Sequence, residues 1–160
     1  MRILLAAVGR QRAGPEREIV ERYLERAGRA GRSLGFSGPD LIEVEEGRER
    51  DAARRQRAEG QKLLAAVSPE SRRIVLDARG RGLTTEELTE LMARWRDEGA
   101  GTTAFLVGGA DGHGEEVRRE ADLMLSLGAM TWPHLLVRAM LAEQIYRCMT
   151  VLAGHPYHRG

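Results

Sequence analysis

The chain is poor in the residue types on which several chemistries depend. Cys148 is its only cysteine, so no intramolecular disulfide can form and a cysteine-based metal cluster is excluded within one chain. That suits a reducing, cytoplasmic setting. Of the 25 basic residues only Lys62 is lysine, and it stands between Gln61 and Leu63 rather than in a Gly-Lys-Ser/Thr step, so a phosphate-binding P-loop is excluded as well. Long hydrophobic runs are missing. The apolar opening Ile3-Leu4-Leu5-Ala6-Ala7-Val8 is too short to span a membrane and lacks the cleavage region of a signal peptide; it reads as a strand. Charge of one sign is missing too: 25 basic against 24 acidic residues leave a formal net charge of +1, so bulk electrostatics do not announce a nucleic-acid binder. A length of 160 residues predicts one domain, 1–160, with room for a real core.

What is present alternates between strand-like and helix-like patterns. After the first strand and a polar loop, residues 15 to about 30 read as a helix burying Ile19, Val20, Tyr23, Leu24 and Ala27, with Glu18/Arg22 and Glu25/Arg29 paired four residues apart on a solvated face. Residues 28–39 break it. Leu41-Ile42-Glu43-Val44 is the second strand, residues 50–67 a charged helix, and Arg73-Ile74-Val75-Leu76-Asp77 the third strand. A loop, 78–82, leads to Thr84, an N-cap with Glu87 three residues on, which predicts a capping box and a helix to about residue 98. Thr103-Ala104-Phe105-Leu106-Val107 is β-rich, apolar on both faces and bounded by glycines. A short helix over 115–121 and a short strand over 123–127 follow. Strands alternating with helices predict an α/β fold with a mostly parallel sheet flanked by helices.

The C-terminal end is the most informative stretch. Pro133 suits the first turn of a helix that runs to about residue 151. At about 100° per residue, His134, Leu141, Ala142, Ile145 and Met149 gather around the direction of Arg138, while Glu143, Gln144 and Arg147 point away. Arg138 cannot lose its proton, so burial among apolar neighbours demands a carboxylate, carbonyl or phosphate partner, or a solvated cleft nearby. The chain then closes on His155-Pro156-Tyr157-His158-Arg159. This tail is either a loose basic end or a short lid whose rings stack on a base while Arg159 meets a phosphate, which is the chemistry of single-stranded or looped RNA. Pro156 precludes a regular helix and the tail holds no acidic residue, which argues against metal chelation by His155 and His158. Cys148, on the apolar helix, reads as a buried structural thiol.

Three loops follow strands at the edge where parallel sheets bind ligands: residues 77–82, 108–114 and 127–132. Each holds glycine, where backbone can approach a planar ligand or turn tightly. The second does not have the Gly-x-Gly-x-x-Gly spacing of a dinucleotide fingerprint.

Taken together, Leu106-Val107-Gly108-Gly109-Ala110-Asp111-Gly112, Leu127-Gly128-Ala129-Met130-Thr131-Trp132-Pro133-His134-Leu135-Leu136-Val137-Arg138, Glu143-Gln144-Ile145-Tyr146-Arg147 and the terminal motif resemble the ribosomal RNA large subunit methyltransferase H family. These are bacterial SPOUT-class enzymes that methylate N3 of a pseudouridine. The resemblance covers essentially the whole chain, including Val8-Gly9-Arg10 and Glu59-Gly60-x-x-Leu63-Leu64. Ala110 stands where the family usually has proline, and Trp132 where it usually has a smaller aliphatic residue.

The resemblance implies a SPOUT-type fold with a deep C-terminal trefoil knot, a homodimer, S-adenosylmethionine as cofactor with no metal, and a pseudouridine of large-subunit (23S) ribosomal RNA in the assembled ribosome as substrate, with no DNA or membrane partner. By position, the cofactor site comprises Leu76, Gly108, Gly109, Leu127, Gly128, Ala129, Met130, Thr131 and Trp132. Substrate recognition falls to Arg138, His155, Tyr157, His158 and Arg159, with His158 and Arg138 as the catalytic pair and Asp77 as a second candidate for the base. Methyl transfer from a sulfonium is an in-line displacement that needs positioning and a deprotonated nucleophile. A non-catalytic ribosome-binding or RNA-binding protein of the same fold is the rival reading, and a nucleotide-binding domain unrelated to RNA a third.

Overall fold

The computed structural model describes residues 1–155 and 157; Pro156, His158, Arg159 and Gly160 lie outside the described residues. Two strands, β1 (Arg2–Val8) and β4 (Thr102–Val107), are buried along nearly their whole length and pair with each other at the centre of a five-stranded sheet. Their apolar runs demand cover on both faces, which only a parallel sheet sandwiched by helices supplies. Around them lie β2 (Ser37–Val44), β3 (Arg72–Gly82) and β5 (Leu123–Ser126), in the order β2-β1-β4-β3-β5, every pair parallel.

Alternate residues of β1 sort the helices into two layers. Ile3, Leu5 and Ala7 face a core built with Ala27 of α1 (Pro15–Gly31), Met92 and Trp95 of α3 (Thr85–Asp97), and Leu141, Ile145 and Met149 of α5 (His134–Leu152). Leu4, Ala6 and Val8 face the other core, with Leu63 of α2 (Ala52–Ala65) and Val117 of α4 (Glu115–Arg119). The period of two is the direct consequence of strand geometry.

Local signals set most boundaries. Thr84 accepts from the Glu87 amide at 3.1 Å while the Glu87 carboxylate accepts from the Thr84 amide at 2.7 Å, the expected capping box. Asp51 caps α2 by accepting from Arg54 N–H at 2.9 Å, so that helix opens at Ala52 rather than at residue 50. The expected loop over 78–82 is instead strand: β3 continues to Gly82, and Arg81 and Gly82 pair with Leu125 and Ser126. Gly80 permits it, since a Cβ there would stand 2.6 Å from the Met124 backbone. β2 likewise begins at Ser37, within the expected break, and its register with β1 is irregular between the Arg2–Ser37 and Leu4–Asp40 pairs.

The face of α5 opposite Arg138 differs from expectation as well. Glu143, Gln144 and Arg147 are half-buried, with the Gln144 amide oxygen accepting from Thr85 Oγ1 at 2.8 Å. Residues Leu141, Ala142, Ile145, Cys148 and Met149 are buried within the chain itself, so α5 leaves less apolar surface free than its sequence suggests. Burial pushes the Cys148 thiol up to about 11, as a structural role requires. Among the described residues no helix is long and apolar enough to cross a membrane.

Candidate functional site

Register brings the three glycine-bearing loops to one edge. Leu76 pairs with Val107 on one side and Leu125 on the other, so the residues following Val107 and Leu125 emerge beside it at the C-terminal ends of their strands. There a pocket of about 160 Å³ is lined by Leu76, Asp77, Ala78, residues 125–128, Met130, Thr131, Trp132 and Val137. It unites six of the nine residues expected to hold the cofactor. Ala129 is exposed outside the lining, and Gly108 and Gly109 lie on the neighbouring loop. Gly128 turns the chain at φ 111°, a conformation that favours glycine. The Trp132 Nε1 atom is buried and has no acceptor among the described residues.

Gly109 faces inward. A Cβ there would stand 2.8 Å from Glu59 Oε2 and 3.2 Å from Val8 Cγ1. Glu59, on α2, is only 4% exposed, and its other oxygen accepts from Gly47 N–H at 2.9 Å. A side chain at Gly109 therefore collides with the α2 layer rather than filling the pocket. The rest of this loop is tied down through Asp111, which accepts from Arg55 Nε at 2.6 Å, and through its carbonyl, which accepts from Gln56 Nε2 at 2.5 Å.

Asp77 is engaged by partners that make it a weak base. It accepts from Arg118 Nε at 2.7 Å and from the Arg79 amide at 2.9 Å. Burial raises its pKa, but these hydrogen bonds and the Arg118 charge together outweigh burial and hold the carboxyl below its usual range. Behind it His113 is 2% exposed, with Nε2 3.2 Å from the Leu106 carbonyl. Burial pushes its pKa down to about 4, so the ring is neutral at physiological pH and donates to that carbonyl.

Arg138 does not reach a solvated cleft. Its side chain is fully buried; Nη1 donates to Glu43 Oε1 at 2.9 Å and Nη2 donates to the Val8 carbonyl. The same Glu43 oxygen accepts from Gln11 N–H at 2.7 Å. Both a carboxylate and a carbonyl partner are thus supplied from within, and Arg138 joins α5 to the ends of β1 and β2. In this arrangement the guanidinium is closed off from the surface of the chain.

Of the terminal motif, His155 is exposed and Tyr157 partly buried, while His158 and Arg159 lie outside the described residues. Tyr157 folds back on its own chain. Its hydroxyl donates to Glu143 Oε1 at 3.2 Å and lies 3.4 Å from the Tyr23 hydroxyl; its ring meets Tyr146 at 4.8 Å between centroids, and the Arg147 guanidinium sits 5.0 Å from the ring centre. The Tyr23 hydrogen bond, burial and the Glu143 charge all raise the phenol's pKa, so Tyr157 is a donor and not a base. An apolar cleft of about 610 Å³ opens beside this cluster, between Ile19, Tyr23, Leu83 and Met140, and shares residues 125–128 with the smaller pocket. A polar cleft of about 690 Å³ lies at the opposite edge, ringed by residues 68–73, 98–102 and 119–122, where the strands begin. Among the described residues no group of three histidine, cysteine or acidic side chains is gathered to hold a metal ion.

A parallel sheet with a tight, apolar, glycine-turned pocket at its C-terminal edge is a geometry for a planar ligand. Comparison with known proteins specifies it. Residues 1–158 match the family described as predicted SPOUT methyltransferase. The chain belongs to this family. It is 50% identical over 159 residues to the ribosomal RNA large subunit methyltransferase H of Bradyrhizobium sp. (strain ORS 278), covering 99% of this chain and 98% of that protein. It is 49% identical over 160 residues to the protein of that name from Nitrobacter winogradskyi, covering all of both. Among solved structures, a probable methylase family protein from Haemophilus influenzae superposes with a TM-score of 0.55 at 14% identity, over 97% of this chain and 69% of that one. A probable methyltransferase from Bordetella pertussis gives 0.51 at 18% identity, over 92% and 95%. These two support the fold. The chain is therefore a methyltransferase of the SPOUT class, and its pocket is read as such.

Two groups at this site escaped sequence reasoning. His113 lies inside the glycine-rich loop, where a lone histidine among glycines signals a loop pinned to the core. Glu43 sits in an apolar strand, Leu41-Ile42-Glu43-Val44, and an acid there should have been matched to the arginine that lacked a partner.

Proposed function

We propose that this enzyme methylates N3 of a pseudouridine in large-subunit (23S) ribosomal RNA, with S-adenosylmethionine as cofactor, and acts on the assembled ribosome in the cytoplasm. The observation that carries the reading is full-length identity of about 50% to the large-subunit methyltransferases, joined to a pocket formed by two of the three loops expected to bind the cofactor. The pocket's residues suit an adenosyl ligand: Leu76, Leu127 and Val137 offer apolar walls, the Gly128 backbone can be approached closely, and Trp132 holds an unpartnered donor. When bound, the cofactor supplies an activated methyl group on a sulfonium.

The chain's own residues then have three tasks. Residues 127–132 and Leu76 fix the donor; Arg138, through Glu43 and the Val8 carbonyl, fixes the start of α5 against β1 and β2; and the tail receives the base. With Asp77 engaged by Arg118 and His113 sealed in the core, His158 is the group we assign to accept the N3 proton, and His155, Tyr157 and Arg159 those that hold the nucleotide. Tyr157 must leave Tyr146 to do so.

A homodimer and a deep C-terminal trefoil knot belong to the same proposal. Met130, 67% exposed within the cofactor loop, and Leu136, 38% exposed just beyond it, support a second copy packing there. The return of β5 to the sheet edge beside β3, followed by a loop that carries α5 back against α1 and α3, supports the knot.

The deciding experiment is single-turnover methylation with assembled ribosomes, isolated large subunits and free ribosomal RNA, the product nucleoside being identified by mass spectrometry. Methyl transfer to one pseudouridine, strongest with ribosomes, is expected. Cofactor and ribosome binding without any transfer would instead indicate a non-catalytic protein of this fold.

A further inference from the structure

Trp132 presents two facts that do not sit easily together. It lines a pocket of about 160 Å³, well under the roughly 300 Å³ at the lower end for ligand sites. Its indole N–H is nevertheless buried with no acceptor among the described residues, which is the least favourable way to place such a donor. A smaller aliphatic side chain at this position would leave the pocket wider and orphan nothing. The indole therefore narrows the space and has an unmet hydrogen bond, and a ligand that turns the ring outward and accepts from it relieves both.

We propose that the Trp132 side chain, and not only the backbone of its loop, is a cofactor contact: the indole is the adjustable wall of the pocket and its N–H the donor that reads the adenosyl group. This rests on the S-adenosylmethionine reading above. The adenosyl group, rather than the amino-acid end, is the part it meets, because the lining it shares includes Leu76, Leu127 and Val137 and the only acid in that lining, Asp77, is already held by Arg118. A planar apolar ring with acceptors on its edge matches that wall; an ammonium group does not. Gly128, at positive φ, and exposed Met130 lie in the same loop, outside the buried sheet.

The test uses S-adenosylhomocysteine and 5′-methylthioadenosine, the second of which keeps the adenosyl group and lacks the amino-acid end. Calorimetry on Trp132→Phe, which keeps a smaller aromatic wall and removes the N–H, should show both ligands weakened at least about three- to tenfold, the range of one hydrogen bond. Trp132→Ala, which removes the wall, should weaken both by at least about tenfold. In a Trp95→Phe background Trp132 is the only tryptophan, and its emission should change on saturation with either ligand. Unchanged affinity in both Trp132 variants, or emission unmoved at saturation, overturns the assignment; weakening in Trp132→Ala alone overturns the donor role. Failure of the unaltered protein to bind either ligand would instead remove the cofactor reading itself, and this assignment with it.

Discussion

The Arg138 guanidinium on α5 donates to the Glu43 carboxylate on β2 at 2.9 Å, so a helix that follows the cofactor loop is fastened to the far side of the sheet by one buried ion pair. Burial lowers the Arg138 pKa and the Glu43 and Glu46 charges raise it, yet an arginine stays charged throughout the physiological range. Removing one partner strands the other's charge in a poorly solvated place. Arg138→Met alone should therefore lose about 3 kcal/mol of stability, whereas Glu43→Met with Arg138→Met should recover most of it, since apolar replacements of buried pairs are often neutral. Urea denaturation measures this. Methyl transfer measured on the same proteins separates position from contact: activity that returns with stability belongs to a positioning residue, while a stable but inactive double variant would return Arg138 to direct substrate contact.

Gly109 is a second place where packing constrains the residue. With a Cβ 2.8 Å from Glu59 Oε2 and Glu59 itself held by Gly47, Gly109→Ala overpacks the seam between β4 and α2. A loss of about 1–3 kcal/mol is expected, the usual range for overpacking, and Gly109→Val should lose more. Shortening Glu59 to Ala in the Gly109→Ala background should restore part of the midpoint in urea. If Gly109→Val keeps its stability and loses only cofactor affinity, the residue faces the pocket after all.

Folding stability should fall as the solution is acidified, partly through His113. Its pKa is about 4 in the folded protein against an ordinary 6.5, so the folded state binds fewer protons than the unfolded one throughout that window. Stability is complete above about pH 6.5, declines by up to ~3 kcal/mol as pH falls to about 4, and is indifferent to this group below that. Asp77, whose pKa is lowered by Arg118 and Arg79 despite burial, works in the same direction at lower pH. The difference in unfolding free energy between wild type and His113→Gln, followed from pH 7.5 to 4.5, isolates the histidine; parallel curves would mean that the ring is more solvated than its 2% exposure indicates.

The layers of this fold were legible because strands and helices announce themselves by different periods: Ile3, Leu5 and Ala7 against Leu4, Ala6 and Val8 assign both faces of β1. Thr84 and Glu87 were legible because a capping box is local chemistry. The extension of β3 to Gly82 was not, since it depends on a close approach of β5 that no pattern within 78–82 encodes. Arg138 shows the boundary most clearly. Its need for a partner follows from one residue on an apolar helix face, but the choice among carboxylate, carbonyl, phosphate and solvent is made by Glu43 and Val8, 95 and 130 residues away. The tail's motif, likewise, specified chemistry without specifying which surface Tyr157 rests on.

That resting place shapes the last prediction. Tyr157 packs on Tyr146, and its hydroxyl donates to Glu143, which also accepts from Arg147 Nη2 at 2.7 Å. Among the described residues, deleting 155–160 removes one partly buried ring and an exposed histidine and no buried side chain, so the loss of stability should be about 1–2 kcal/mol, in keeping with a partly exposed ring and its hydrogen bonds. Methyl transfer should fall by at least about a hundredfold, because positioning groups contribute on that scale. Cofactor affinity should change far less, since the pocket is built by residues 76–78, 125–128, 130–132 and Val137. Tyr157→Phe refines the comparison: it keeps the ring on Tyr146 and removes the donor to Glu143, so it should retain stability within about 1 kcal/mol while lowering transfer if the hydroxyl serves the nucleotide. Single-turnover rates on assembled ribosomes, with calorimetry on the same samples, decide between the roles. A truncated enzyme that keeps its rate would reduce the tail to the loose basic end, and the base would then have to be sought among groups other than His158.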